Sequence, residues 1–117
     1  MNQITEILDL KKATCREFDV NEIYQYIRKA NNGSMPLSWS WGFNNPVMVS
    51  RNKALRFTVQ GHHHNGYVYI VLNFMDLFDI YYTSKSDVIK KISNDVYIDM
   101  LIEVLDNEIE RIPEYKH

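Results

Sequence analysis

Apolar residues recur at two different periods along the chain, and the switch between them divides it. Over the first third the spacing is helical. Ile4, Ile7, Leu8 and Leu10 form a short stripe that predicts a helix over residues 3–13. Asp19 is placed to cap a second helix, with Glu22 as its capping-box partner and Phe18 and Ile23 as a hydrophobic staple. Val20, Ile23, Ile27 and Ala30 line one face of that helix. Asn31-Asn32-Gly33 supplies its stop, since these residues tolerate the left-handed conformation that ends helices.

From residue 54 the period is two. In "ALRFTVQ", Leu55, Phe57 and Val59 alternate with Arg56, Thr58 and Gln60, the pattern of a half-buried strand. "GYVYIVLN" is apolar on both faces, which predicts a central position in the sheet. The glycine-bounded "GHHHNG" joins these two strands as a hairpin loop. "LFDIYYTS" reads as the next strand, and the lysine-bearing "DVIKKIS" as an edge strand. "PVMVS" is a candidate for a further short strand. The helical period then returns. Ile98, Leu101, Ile102, Leu105, Ile109 and Ile112 form the strongest stripe, widened by Tyr97, Met100 and Val104. Ser93 or Asn94 would cap that helix, and Pro113 would end it. A stripe this wide must cover something large, and the sheet is the obvious partner.

The expected fold class is therefore α+β: two N-terminal helices, an antiparallel meander of about four strands, and a C-terminal amphipathic helix packed on the sheet. At 117 residues, all of this belongs to one domain, residues 1–117.

Composition narrows the setting. No apolar run reaches the ~18 residues of a membrane helix, so no membrane association is expected. "MNQITEILDLKK" lacks a basic start followed by an apolar block, so no signal peptide is expected. The single cysteine, Cys15, cannot close an internal disulfide, and a cytoplasmic compartment is the simplest expectation. The net charge of −2 hides an asymmetry. Residues 1–93 carry 11 basic and 8 acidic side chains, whereas residues 94–117 carry 2 and 7. An acidic terminal helix is ordinarily the solvated side of an amphipathic element, though such asymmetry also marks electrostatic partner surfaces.

Candidate chemistry is sparse. His62 and His64 would share one face of an extended segment and His63 the other. Two ligands with no neighbouring cysteine or carboxylate do not close a tetrahedral site, so a solvated hairpin tip is the simpler reading. Asp76, Asp79 and Asp87 would need a special environment to act as an acid–base pair. Cys15 has basic neighbours in Lys11, Lys12 and Arg16 but no catalytic partner. There is no P-loop, GxGxxG, GxSxG or HExxH. No catalytic residue and no cofactor is expected.

Two surfaces remain. In "SMPLSWSWGFNNP", an extended chain would put Trp39, Trp41 and Phe43 on one face and the serines on the other. With Arg51 and Lys53 at its rim, that row would suit a protein partner, either another protein or a second copy of the chain as a homodimer. The competing reading folds the same row over the mouth of the core, between helices and sheet. The alternative partner is single-stranded nucleic acid, on a sheet face bearing Tyr67, Tyr69 and Tyr81 and flanked by Arg51, Lys53, Arg56, Lys85, Lys90 and Lys91.

"ALRFTV", "YVYIVLNFMDLFDIYY" and "VYIDMLIEVLD", within residues 54–106, carry a resemblance. Their strand, their "LN-x-x-DL" turn between strands and their "VY-x-D-x-L" helix start resemble small proteins of unknown function from bacteriophages and other mobile elements of bacteria. The resemblance implies a shared fold without catalytic residues. It also implies a small accessory protein that manipulates or assists host machinery. The function expected is that of a non-catalytic binding, adaptor or inhibitor protein.

Overall fold

Strand pairing follows chain order. In the computed structural model, residues 7–10, 16–32, 35–36, 41–49, 51, 53–61 and 63–109 are described. Helix α1 (Val20–Lys29) is followed by a two-residue ladder of β1 (Asn31–Asn32) and β2 (Met35–Pro36). Then come β3 (Asn44–Val49), β4 (Ala54–Gln60), β5 (Asn65–Leu72), β6 (Phe78–Thr83) and β7 (Ile89–Val96). These five form one antiparallel sheet in the order β3-β4-β5-β6-β7. A 3₁₀ turn (Ile98–Met100) leads into helix α2 (Leu101–Ile109). The result is a single small α+β domain.

Three expectations change. The sheet has five strands where the alternation predicts about four, because the "PVMV" stretch completes the edge. Among the described residues one helix precedes the sheet, not two. Ile7 bridges Val88, and the Leu8 N–H donates to the Asp87 carbonyl at 2.8 Å, so these two residues of the expected helix are strand-like, and of its described residues only Leu10 is helical. Residues 3–6 and 11–13 of that stripe lie outside the described residues, as do Cys15, Gly33, Ile112 and Pro113. Finally, Ser93 and Asn94 do not cap α2. Both belong to β7, and the helix opens through the 3₁₀ turn after Tyr97 with no side-chain cap.

Helix α1 begins as its sequence predicts. Asp19 accepts a hydrogen bond from the Glu22 N–H at 3.0 Å. It ends when Ala30 turns extended (ψ 138°), without a left-handed residue. Its Val20, Ile23 and Ile27 and the Leu101, Leu105 and Ile109 of α2 cover one sheet face. There they join Leu55, Phe57, Val59, Val68, Ile70 and Ile80 in one buried cluster. Each such side chain contributes about 1.5–3 kcal/mol by leaving water.

The opposite face is also largely closed. Ala54, Tyr69 and Val71 are buried there. This is why β5 is apolar on both faces and central in the order.

The β4–β5 loop locks the far end of α2. The His63 N–H donates to the Ile109 carbonyl at 2.7 Å. A Cβ on Gly61 would lie 2.3 Å from that same oxygen and 2.5 Å from the Ile109 Cγ2. Gly61→Ala is accordingly expected to push the helix end outward and cost about 1–3 kcal/mol, in the range of overpacked cores. Urea denaturation followed by circular dichroism measures this.

Candidate interaction surface

The β5–β6 and β6–β7 connections use one turn design twice. In the first, the Asn73 N–H donates to the Leu77 carbonyl (2.8 Å) and the Asp76 N–H to the Asn73 carbonyl (3.2 Å). The Asn73 Oδ1 accepts from the Met75 and Leu77 N–H groups at 2.8 and 3.1 Å. In the second, Ser84 takes the place of Asn73. Its N–H donates to the Val88 carbonyl (2.9 Å), and its Oγ accepts from the Ser86 and Val88 N–H groups at 3.1 and 3.2 Å. Asp76 and Asp87 both sit at φ 64°. Asn and Ser side chains nucleate such turns by capturing N–H groups two residues on, and Asp tolerates the left-handed position.

The first turn is tied down further. The Asn73 Nδ2 donates to the Asp79 and Asp95 carboxylates at 3.1 and 2.8 Å, and the Asp95 N–H donates to Asp79 at 2.9 Å. Arg16 donates to the Asn73 carbonyl at 3.3 Å and pairs with the Asp76 carboxylate. Between these anchors the turn displays Phe74 and Met75, which are 76% and 66% exposed. Tyr97, 60% exposed, leaves β7 at the same end of the sheet, followed by exposed Ile98 and Met100. Half of the ten large hydrophobic residues exposed among those described are gathered here.

Sequence reasoning missed this surface for two reasons. Phe74 and Met75 looked like the middle of a connection. Tyr97, Ile98 and Met100 fitted the helical stripe, but α2 starts only at Leu101 and its inward face begins there. The usable signal was a large apolar pair at a turn tip, where small polar residues are the rule.

The expected Trp row is distributed differently. Trp39 lies outside the described residues. Trp41 is 0% exposed: its carbonyl accepts from the Gln60 N–H (2.7 Å), and its indole Nε1 donates to Asp106 of α2 at 2.9 Å. Phe43 is half-buried and stacks on Phe57 at 4.5 Å. Trp41 thus closes the seam between sheet and α2 and presents no face to a partner. Arg51, at φ 56°, is exposed, and Lys53 is half-buried, both in the β3–β4 loop. That loop lies at the same end of the sheet as Phe74, because Ala54 pairs with Val71.

A shallow apolar groove of about 260 Å³ runs between α1 and edge strand β3, lined by Val20, Tyr24, Pro46, Val47 and Met48. Pro46 and the irregular register near Asn45 (φ 54°) blunt that edge against strand addition.

The tyrosine-bearing face is less open than its sequence suggests. Tyr69 is 1% exposed and donates to the Asp87 carboxylate at 2.5 Å. Burial, and then that bond, push its phenol up to about 12. Arg56 lies over the Tyr67 ring at 4.5 Å, so that ring already has a cation on it.

Of the histidines, His62 lies outside the described residues and His63 is exposed. His64 is buried, with its Nε2 3.0 Å from the Tyr67 carbonyl and its ring edge-on to Tyr82. It borders a cavity of about 190 Å³ with Lys90 and the Lys91–Glu108 ion pair. Among the described residues no group of three potential ligands is placed to hold a metal. Asp76, Asp79 and Asp87 are each engaged in a turn or a hydrogen bond, as given above.

Desolvation holds the His64 imidazole below its ordinary 6.5, with nearby Lys90 adding to this and the Tyr67 and Thr83 backbone opposing it. The unfolded chain therefore takes up that proton first. The stability owed to neutral His64 is full above about pH 6.5 and is lost as pH falls from there toward the folded value. The urea midpoint is expected to drop between pH 7.5 and 5.5, and His64→Gln to flatten that part of the profile.

No protein-family model, curated protein or solved structure matches the chain. No helix among the described residues is long and apolar enough to cross a membrane.

Proposed function

We propose that the chain is a small non-catalytic binding protein, an adaptor or inhibitor acting through protein–protein contact. The observation that carries this reading is the apolar end of the sheet: Phe74 and Met75, with Tyr97, Ile98 and Met100 beside them. Side chains this large are seldom left in water on a loop held by so many hydrogen bonds. A rigid loop presents them at low entropic cost, which is what an interface anchor needs. The resemblance to accessory proteins of mobile elements fits the same role. Nucleic acid on the tyrosine face has less support, because buried Tyr69 offers no face to a base.

A photoreactive phenylalanine analogue at position 74, irradiated in source cells, tests the reading. Protein adducts are expected, and Tyr97→Ser with Ile98→Ser should abolish them without changing the melting temperature. The absence of any adduct, or adducts indifferent to those substitutions, would overturn it.

A further inference from the structure

Charge is ordered along the apolar end of the sheet. Strand order sets the sequence of features across it. Arg51 and Lys53 stand in the β3–β4 loop, Phe74 and Met75 in the β5–β6 turn, and Tyr97, Ile98 and Met100 beyond β7. The last group is accompanied by the exposed carboxylates Asp95, Asp99 and Glu103. The row thus runs from cationic through apolar to anionic. At about 4.8 Å per strand it is roughly 15–20 Å long. Among the described residues, other charges at this end include the Arg16–Asp76 pair, Asp79, which accepts from Asn73 and from the Asp95 N–H, and exposed Glu17 beside Arg16; Asp95 also accepts from Asn73, so Asp99 and Glu103 are the anionic groups beyond β7 left to a partner.

Such a row is complementary to itself in one orientation. A two-fold rotation about the sheet normal turns the end to face its copy and reverses the row. Arg51 and Lys53 then meet Asp99 and Glu103 of the second copy, twice by symmetry, and Phe74 and Met75 meet their counterparts at the centre. A two-fold axis along the row would instead oppose like charges. Isologous contacts need this kind of self-complementarity.

Resting on the reading of this end as a protein contact, we propose that its occupant is a second copy of the chain, docked end to end about a two-fold axis normal to the sheet. Phe74 and Tyr97 together expose about 250 Å². With Met75, Ile98 and Met100, two copies would bury about 1,000 Å², at the lower bound for a specific interface. A dimer that dissociates at micromolar concentration is the consequence.

Sedimentation velocity on the full chain from about 1 to 500 µM should show a monomer–dimer equilibrium that weakens with salt. Phe74→Ser should weaken it at least about ten-fold. Arg51→Glu with Lys53→Glu, and separately Asp99→Lys with Glu103→Lys, should each weaken self-association through like-charge contacts. An equimolar mixture of these two double variants should dimerise again, since each opposes the other's charge. Wild type that stays monomeric throughout, or a mixture no tighter than its components, would overturn the proposal. The adducts at position 74 separate the two ideas. A monomeric wild type with adducts to another protein leaves the protein-contact reading standing, whereas a monomer with no adducts removes both.

Discussion

Trp41→Ala is expected to cost about 3–5 kcal/mol, the range for removing a large aromatic from a core. Stabilities of small domains are about 5–15 kcal/mol, so much of the population could unfold near physiological temperature. Two effects combine. The indole is fully buried in the cluster that joins α1, α2 and the sheet, and its removal leaves a cavity. Its Nε1–H also ends on Asp106, so the substitution strips a donor from the α2 carboxylate. Trp41→Phe separates these effects, since it keeps most of the apolar volume and loses the N–H. It should cost roughly 2–3 kcal/mol, most of it the hydrogen bond to a carboxylate, for which about 1.5–3 kcal/mol is usual. Double substitution with Asp106→Ala completes a cycle in which the coupling isolates that bond. Urea titration by circular dichroism is the readout. A Trp41→Ala protein as stable as wild type would mean that the indole does not close the seam.

Much of the fold was legible because periodicity reports burial directly. β5 was placed centrally from residues apolar on both faces, and β7 at an edge from its lysines, and both positions hold. The Asp19 cap was readable because one side-chain oxygen and one N–H three residues on are a local matter. What misled was apolar spacing whose partner lay far along the chain. Ile7 and Leu8 fit a helical stripe, but their contacts are with Asp87 and Val88. Spacing records that a residue seeks burial and does not say against what.

The same limit governed the candidate interaction surface. Tyr97, Ile98 and Met100 satisfied the helical period, yet the chain is still leaving β7 there, and a 3₁₀ turn rotates them outward. Trp41 drew attention as a large aromatic in a connection, and its burial depends on Asp106, 65 positions away. Arg51 and Lys53 were expected at the rim of the Trp row, whereas the exposed apolar residues at their end of the sheet are Phe74 and Met75. Only the strand order brings that loop and that turn to one end of the sheet.

Asn73→Asp is expected to be more damaging than Asn73→Ala, although aspartate is nearly the same shape. The carboxamide is buried and used in full: its oxygen serves two turn N–H groups and its nitrogen two carboxylates. Alanine deletes all four bonds but leaves no new charge, and should cost about 2 kcal/mol given partial access of water to the freed groups. Aspartate keeps the two turn acceptors, loses both donors, and sets a third carboxylate against Asp79 and Asp95. Like charges at hydrogen-bond distance in a partly buried site should raise the loss to about 3 kcal/mol. The excess is electrostatic, so it should shrink at about 1 M salt, where the screening length is ~3 Å, while the alanine value stays nearly fixed. If aspartate proves the milder change, the turn acceptors dominate and the two carboxylates are solvated independently of Asn73. The substitution also reaches the surface, because the turn that Asn73 organises is the one that holds Phe74 and Met75 out. Under conditions where the Asn73→Asp and Asn73→Ala proteins remain folded, the proposed self-association should be weaker in both than in wild type, since the turn must then be ordered on contact.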